Sequence, residues 1–178
     1  MTVAILPLLD EQDRPELAEL ARTIRQQRQG RLPPLYALLL NSPALAQGWL
    51  GFFTALRQRS RLPDRLRELA ILRVTQQSAA RHEFRSHVRF ALAAGITQRQ
   101  IDELGDGCLA SDLASLDRLC LSYADRLLAN DCDPAWAAAE LLPHFSDAEV
   151  LELTTTVAAY RMVATVSRSL GLADTFRG

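Results

Sequence analysis

The sequence predicts an all-α fold, and three observations carry that prediction. Hydrophobic residues make up 48% of the 178-residue chain, and Ala and Leu, both strong helix formers, dominate them. β-branched residues do not gather into strand-length runs. Apolar positions recur at three- and four-residue spacing, between Pro, Gly, Ser and Thr punctuation of the kind that starts and stops helices. No linker, low-complexity tract or charge block divides the chain. Residues 1–178 therefore read as one domain, large enough to bury a core of its own.

The composition also excludes function classes. The net charge of −1 draws the chain toward neither nucleic acid nor anionic lipid. All 20 basic residues are Arg, so no lysine is present to form a Schiff base. The three cysteines, Cys108, Cys120 and Cys132, form no CxxC and lie in or beside helical patterns. They are expected to be buried, reduced thiols, which fits the cytoplasm. The N-terminal MTVAILPLLDEQD lacks the basic start and cleavage site of a signal peptide. No apolar run approaches the roughly 18 residues of a membrane span.

In chain order, residues 1–12 read as an extended arm ending in an acidic turn. Pro15 opens a helix with Leu17, Leu20, Ala21 and Ile24 on one stripe, closed near Gly30. Pro33 and Pro34 open a short helix that Asn41-Ser42-Pro43 breaks. Ser42 is a candidate N-cap for the next helix, 43–59, with Trp49, Phe52 and Phe53 as its aromatic share of the core. A helix from Pro63 to Gln76 is apolar over much of its circumference, which implies burial on more than one side. After a turn at 77–79, a helix from Ala80 to Ala94 follows, with Gly95 at its C-terminal end. Thr97 with Gln100 three residues on forms a capping box for a short helix. A helix over 112–129 carries Leu113, Leu116, Leu119, Cys120, Tyr123 and Leu127. Pro134 opens another helix. Ser146, with Glu149 three residues on, caps the last long one, which runs to Leu170.

The chemistry concentrates in the hairpin of 63–95. Glu83 and His87 are four residues apart and share a helix face. His82 lies one residue earlier, about 100° round. Glu68 precedes His87 by nineteen residues on the other arm, where a short-loop antiparallel hairpin lets it face the Glu83/His87 stripe. A carboxylate beside an imidazole fixes its tautomer and favours its protonated form, as proton transfer requires. Arg85 and Arg89 flank the stripe and are candidates for holding a substrate carboxylate. The bland alternatives are a helix-stabilising Glu-x3-His pair and a solvated arginine face. The spacing does not match the Glu-x-x-His pairs of di-iron bundles, so no metal is expected. There is no Gly-x-Ser-x-Gly elbow. His144, beside Pro143, reads as a loop residue.

The residues LPDRLRELAILRV, HEFRSHVRFALAAGIT and QRQIDEL resemble the carboxymuconolactone decarboxylase family, which includes the alkylhydroperoxidase D (AhpD-like) proteins. The resemblance implies an AhpD-like helical bundle with a motif-bearing core at 62–104, in homo-oligomers such as dimers, trimers or hexamers. The peroxidase branch carries Glu-x11-Cys-x-His-Cys-x3-His. Here that frame reads Glu68-x11-Ala80-x-His82-Glu83-x3-His87. The glutamate and both histidines match; both cysteines are missing. Thiol peroxide chemistry needs an attacking thiolate and a resolving thiol, and Ala80 and Glu83 supply neither. The resemblance therefore implies a cysteine-less member. It would be a cofactor-independent acid–base lyase acting on a small carboxylated or lactone substrate. His87 would carry the proton, with Glu68, Glu83 and His82 around it and Arg85 or Arg89 on the substrate carboxylate. The other expectations from the same resemblance are a peroxide-related protein and a non-catalytic binding protein of the same fold.

Overall fold

The structure, a computed structural model, describes residues 4–172. The segments 1–3 and 173–178 lie outside the described residues, and with them nearly all of the tail. The described residues form helices and connections and no strand. A 3-10 turn, Pro15–Leu17, leads into α1 (Ala18–Gln27). Then come α2 (Pro34–Leu39), α3 (Pro43–Gln58), α4 (Asp64–Gln77), α5 (Arg81–Ala93) and α6 (Gln98–Gly105). α7 (Ser115–Leu128), α8 (Pro134–Leu141) and α9 (Asp147–Ser169) complete the order. No helix among the described residues is long and apolar enough to cross a membrane.

The described chain divides into two compact units, 4–59 with 167–172, and 60–166. In the first, Trp49 and Phe53, one turn apart on α3, are buried and stacked at 5.3 Å. Phe52 is not a core residue: it is 41% exposed and meets Phe53 edge-on, because it sits at the flank of the inward stripe. Ser42 occupies the N-cap position, but its side chain makes no cap bond. Buried Arg28 donates to the Tyr36 hydroxyl (2.7 Å) and to Thr54 Oγ1 (3.1 Å). Burial nonetheless pushes the Tyr36 phenol above its ordinary value.

The second unit is organised around α4, which packs on α5, α6 and α7. Leu69, Ala70, Ile71, Leu72 and Val74 are fully buried, so this helix is enclosed nearly all round, as its composition requires. Two ion pairs lock it to α7. Arg65 Nη2 lies 2.8 Å from Asp117 Oδ2, and Arg73 reaches Asp125 at 2.7 and 2.9 Å. Each helix advances eight residues between the pairs, so α4 and α7 run side by side in the same direction. Glu152 of α9 accepts from Ser60 Oγ and from the Arg61 and Leu62 amides at 2.7–2.8 Å, which satisfies backbone donors just ahead of α4.

The α4–α5 connection is tight. Ala79 N–H donates to Gln76 O and Ala80 N–H to Thr75 O, the pairing of a Schellman close. Its left-handed position is held by Ala79 at φ 52°, where glycine is usual. The same close after α5 uses Gly95 at φ 82°, and Ile96 N–H returns to Ala91 O. Both capping boxes form: Thr97 with Gln100, and Ser146 with Glu149. The cysteines depart from expectation. Only Cys120 is buried, while Cys108 and Cys132 are exposed in connections, where no apolar stripe turns them inward.

Candidate active site

The second unit places His87 between two hydrogen-bonding side chains. α4 presents Glu68, 3% exposed, with Oε2 2.7 Å from His87 Nδ1. α9 presents Tyr160, also 3% exposed, with its hydroxyl 3.0 Å from His87 Nε2. The rings of His87 and Tyr160 meet edge-to-face at 5.0 Å, and Phe90 lies 5.5 Å from the imidazole. The antiparallel hairpin explains the first contact: the turn at 78–80 folds α5 back along α4 and brings position 87 level with position 68.

This arrangement constrains the protons. When Glu68 is ionised it only accepts, so Nδ1–H donates to Oε2 and Nε2 is left to Tyr160. With neutral imidazole, Tyr160 O–H donates to Nε2; with imidazolium, Nε2–H donates to the tyrosine oxygen. Glu68 stabilises the imidazolium that forms when His87 takes a proton. Arg67 backs the carboxylate, its Nε 3.8 Å from Glu68 Oε1 while its Nη2 pairs with Asp64 at 2.9 Å.

Glu83 is buried at 6% exposure, one turn before His87 on the same face of α5. His82 is half-buried at the edge of that face. The structure thus gathers Glu68, Glu83 and His87 on one side of α5. It does not gather Arg85 and Arg89 there. Two residues of helix is about 200° of rotation, so Arg85 lies across α5 from Glu83 and His87, and Arg89 lies one turn beyond it. Both are exposed, and the Arg89 guanidinium covers the Phe90 ring at 4.6 Å.

Sequence reasoning missed Tyr160 and Arg67. A tyrosine inside an apolar helix needs a partner for its hydroxyl when buried, and that was the available signal. Nothing in the spacing says that the partner lies 73 residues earlier. Among the described residues, no group of three or more His, Cys, Asp or Glu side chains is placed to hold a metal ion.

Residues 43–110 match the model of the carboxymuconolactone decarboxylase family. Over that segment, 68 of the 178 residues, the chain is similar to this family. No curated protein matches. An uncharacterised peroxidase-related protein from Silicibacter sp. TM1040 superposes with a TM-score of 0.77 at 15% identity, covering 95% of this chain and 89% of that one. The debrominase Bmp8, in complex with 2,3,4-tribromopyrrole, gives 0.74 at 16% identity over 96% of this chain and 90% of that one. Its apo structure gives 0.73 at 16% identity, covering 93% and 89%. The chain therefore has the all-α, AhpD-like fold.

The family segment contains Glu68, His82, Glu83 and His87, whereas Tyr160 lies beyond it. At the two frame positions that are cysteine in the peroxidase branch, Ala80 is fully buried and Glu83 nearly so. Cys120 does not replace them. Its Sγ donates to the Leu66 carbonyl, and burial pushes its thiol up to about 12, so it does not ionise at neutral pH.

Proposed function

We propose that the protein is a cofactor-independent acid–base enzyme of the carboxy-lyase type, acting on a small carboxylated or lactone substrate. The observation that carries this reading is the buried Glu68–His87–Tyr160 relay, in which both imidazole nitrogens are held. A surface helix pair would need neither the burial nor the second partner. The small heteroaromatic ring bound by the debrominase supports a compact cyclic substrate.

In this reading the imidazolium of His87 stores the proton. As the bond to the substrate carboxylate breaks, its electron pair passes into the conjugated carbonyl and carbon dioxide leaves. The carbon takes the Tyr160 hydroxyl proton, His87 Nε2–H passes its own to the tyrosine oxygen, and the imidazole is left neutral. A proton from water restores it, so the balance is carboxylate plus proton to C–H plus carbon dioxide. Glu68 holds the ring and offsets its charge, and Glu83 supplements the field on the same face. The reading includes a homo-oligomer in the cytoplasm, with neither metal nor organic cofactor. The peroxide reading is disfavoured by Ala80 and Glu83 in the thiol positions.

The test is a screen of small carboxylated lactones and related acids for carbon dioxide release. Activity should appear in the wild type and collapse in His87→Ala and Tyr160→Phe. Turnover of every accepted substrate unchanged by His87→Ala would sink the reading. Peroxide consumption with thiol titration separates the alternative.

A further inference from the structure

The face of α5 turned away from His87 has a cleft of its own. About 370 Å³ of space opens among Gln76, Ala79, Arg81, Phe84, Arg85 and Gly105. That is within the range of small-molecule sites, roughly 300–1,000 Å³. Arg81 and Arg85 are one helical turn apart, so both guanidinium groups rise from one side of α5 into the same space. Arg81 makes no ion pair among the described residues, and none of the described residues lining the cleft is acidic. The nearby acid Asp125 is already taken by Arg73 and Gln77.

The walls are not uniformly polar. Gly105 packs beside the Phe84 ring, where an added Cβ would make ordinary contact at 3.4 Å, and Phe84 gives the cleft one flat aromatic wall. Ala79 adds a methyl, held out by its left-handed backbone. Gln76 contributes the remaining polar group. Its side-chain oxygen is buried and has no hydrogen-bond partner among the described residues, a state that is unfavourable unless something donates to it.

We propose that this cleft binds a small planar carboxylate, separately from the proton-transfer face. The arginine pair takes the carboxylate, Phe84 covers the apolar body, and Gln76 accepts from a hydroxyl or N–H on the ligand. Two guanidinium groups on one side suit the forked geometry of a carboxylate. The aromatic wall argues against a bare inorganic anion. The inference does not depend on the chemistry at His87.

The test is calorimetric titration of the full chain with 4-hydroxybenzoate, 4-hydroxybenzamide and inorganic phosphate, on wild type and on Arg81→Gln, Arg85→Gln and His87→Ala. Both arginines are exposed, so their variants should fold, which thermal melts confirm. 4-Hydroxybenzoate should bind, and each arginine variant should weaken it by about tenfold. The neutral amide should bind at least about tenfold more weakly than the acid, and His87→Ala should bind the acid as the wild type does. Equal affinity for acid and amide overturns the proposal, as does unchanged affinity in both arginine variants. Phosphate binding as tightly as the acid overturns the apolar-bodied ligand. Loss of binding in His87→Ala overturns the separateness of the two faces.

Discussion

α5 has two faces that obey opposite rules. On one, Glu83, His87 and Ala91 are buried, and His87 is held on both ring nitrogens by side chains from α4 and α9. On the other, Arg81, Arg85 and Arg89 repeat at the same four-residue spacing and stay exposed. The amino-acid pattern is equally regular on both sides, so periodicity alone does not separate them. What separates them is the neighbours. The first face meets helices that supply a carboxylate and a hydroxyl, so its titratable group is desolvated but satisfied. The second meets the ends of α4 and α6, whose contribution is a buried amide oxygen and small residues. A satisfied buried group is suited to moving a proton, and two exposed guanidinium groups on one side of a helix to holding an anion.

The largest effect expected is on the buried face. His87→Ala should lower kcat by about 100-fold or more on any substrate found by carbon dioxide release, the usual range for a general acid or base. Glu68→Gln keeps the shape and removes the charge, and should lower kcat with KM little changed. Since Glu68 and Tyr160 act through one imidazole, the double variant Glu68→Gln/Tyr160→Phe should cost less than the sum of the singles. Strict additivity in that cycle would break the relay as a unit.

The relay also marks the limit of what the sequence makes legible. Glu68 and His87 are joined by a hairpin with a short turn, so helix geometry brings them together from spacing alone. The enclosure of α4 is legible for a related reason, because apolar residues all round a helix admit only burial. Tyr160 is not legible, because its approach to His87 depends on how α9 packs, and no periodicity connects the two. Arg85 and Arg89 illustrate another limit. Proximity in sequence attaches them to His87, while the 100° step per residue carries them round the helix. The exposure of Cys108 and Cys132 depends on connections whose course the helical pattern does not specify.

Next in size is the clamp that serves both faces. Asp117, 2% exposed, receives Arg65, which also donates to the Gly95 carbonyl at the end of α5. Asp117→Ala should cost about 2–3 kcal/mol in urea denaturation, below the full penalty of a broken buried pair because Arg65 reaches solvent. Tyr160→Phe should cost about 1–2 kcal/mol, since it leaves the buried His87 Nε2 without its hydrogen-bond partner. Full stability in that variant would mean the Tyr160 contact holds nothing in place.

A smaller effect is expected from pH. Burial pushes the Glu152 carboxyl up, but the Ser60 hydroxyl and the Leu62 and Arg61 amides donating to it outweigh burial and hold its pKa below the ordinary 4.5. A depressed folded pKa gives stability that is complete above about 4.5 and is lost as pH falls through the folded value. Glu152 is part-exposed, so the gain is below about 1 kcal/mol. Melting temperature should fall more steeply below pH 4.5 in the wild type than in Glu152→Gln. Parallel profiles would remove Glu152 as the anchor of α9 at the start of α4.

The smallest effect bears most directly on the contrast between the faces. Ala79 and Gly95 occupy the same position in two closes of the same type, at φ 52° and φ 82°. A left-handed backbone costs an L-residue about 1 kcal/mol, which glycine avoids at about half that cost in unfolded-chain entropy. Ala79→Gly should therefore stabilise the protein by about 0.5 kcal/mol. The strained residue also lines the anion cleft, where a methyl covered by ligand is worth about 0.8 kcal/mol, or about fourfold in affinity. If the strain is retained for the cleft, Ala79→Gly gains stability and loses about that factor in 4-hydroxybenzoate binding, with kcat unaffected. A gain in stability with no change in binding would instead leave Ala79 as an unoptimised turn and the cleft wall to Phe84 alone.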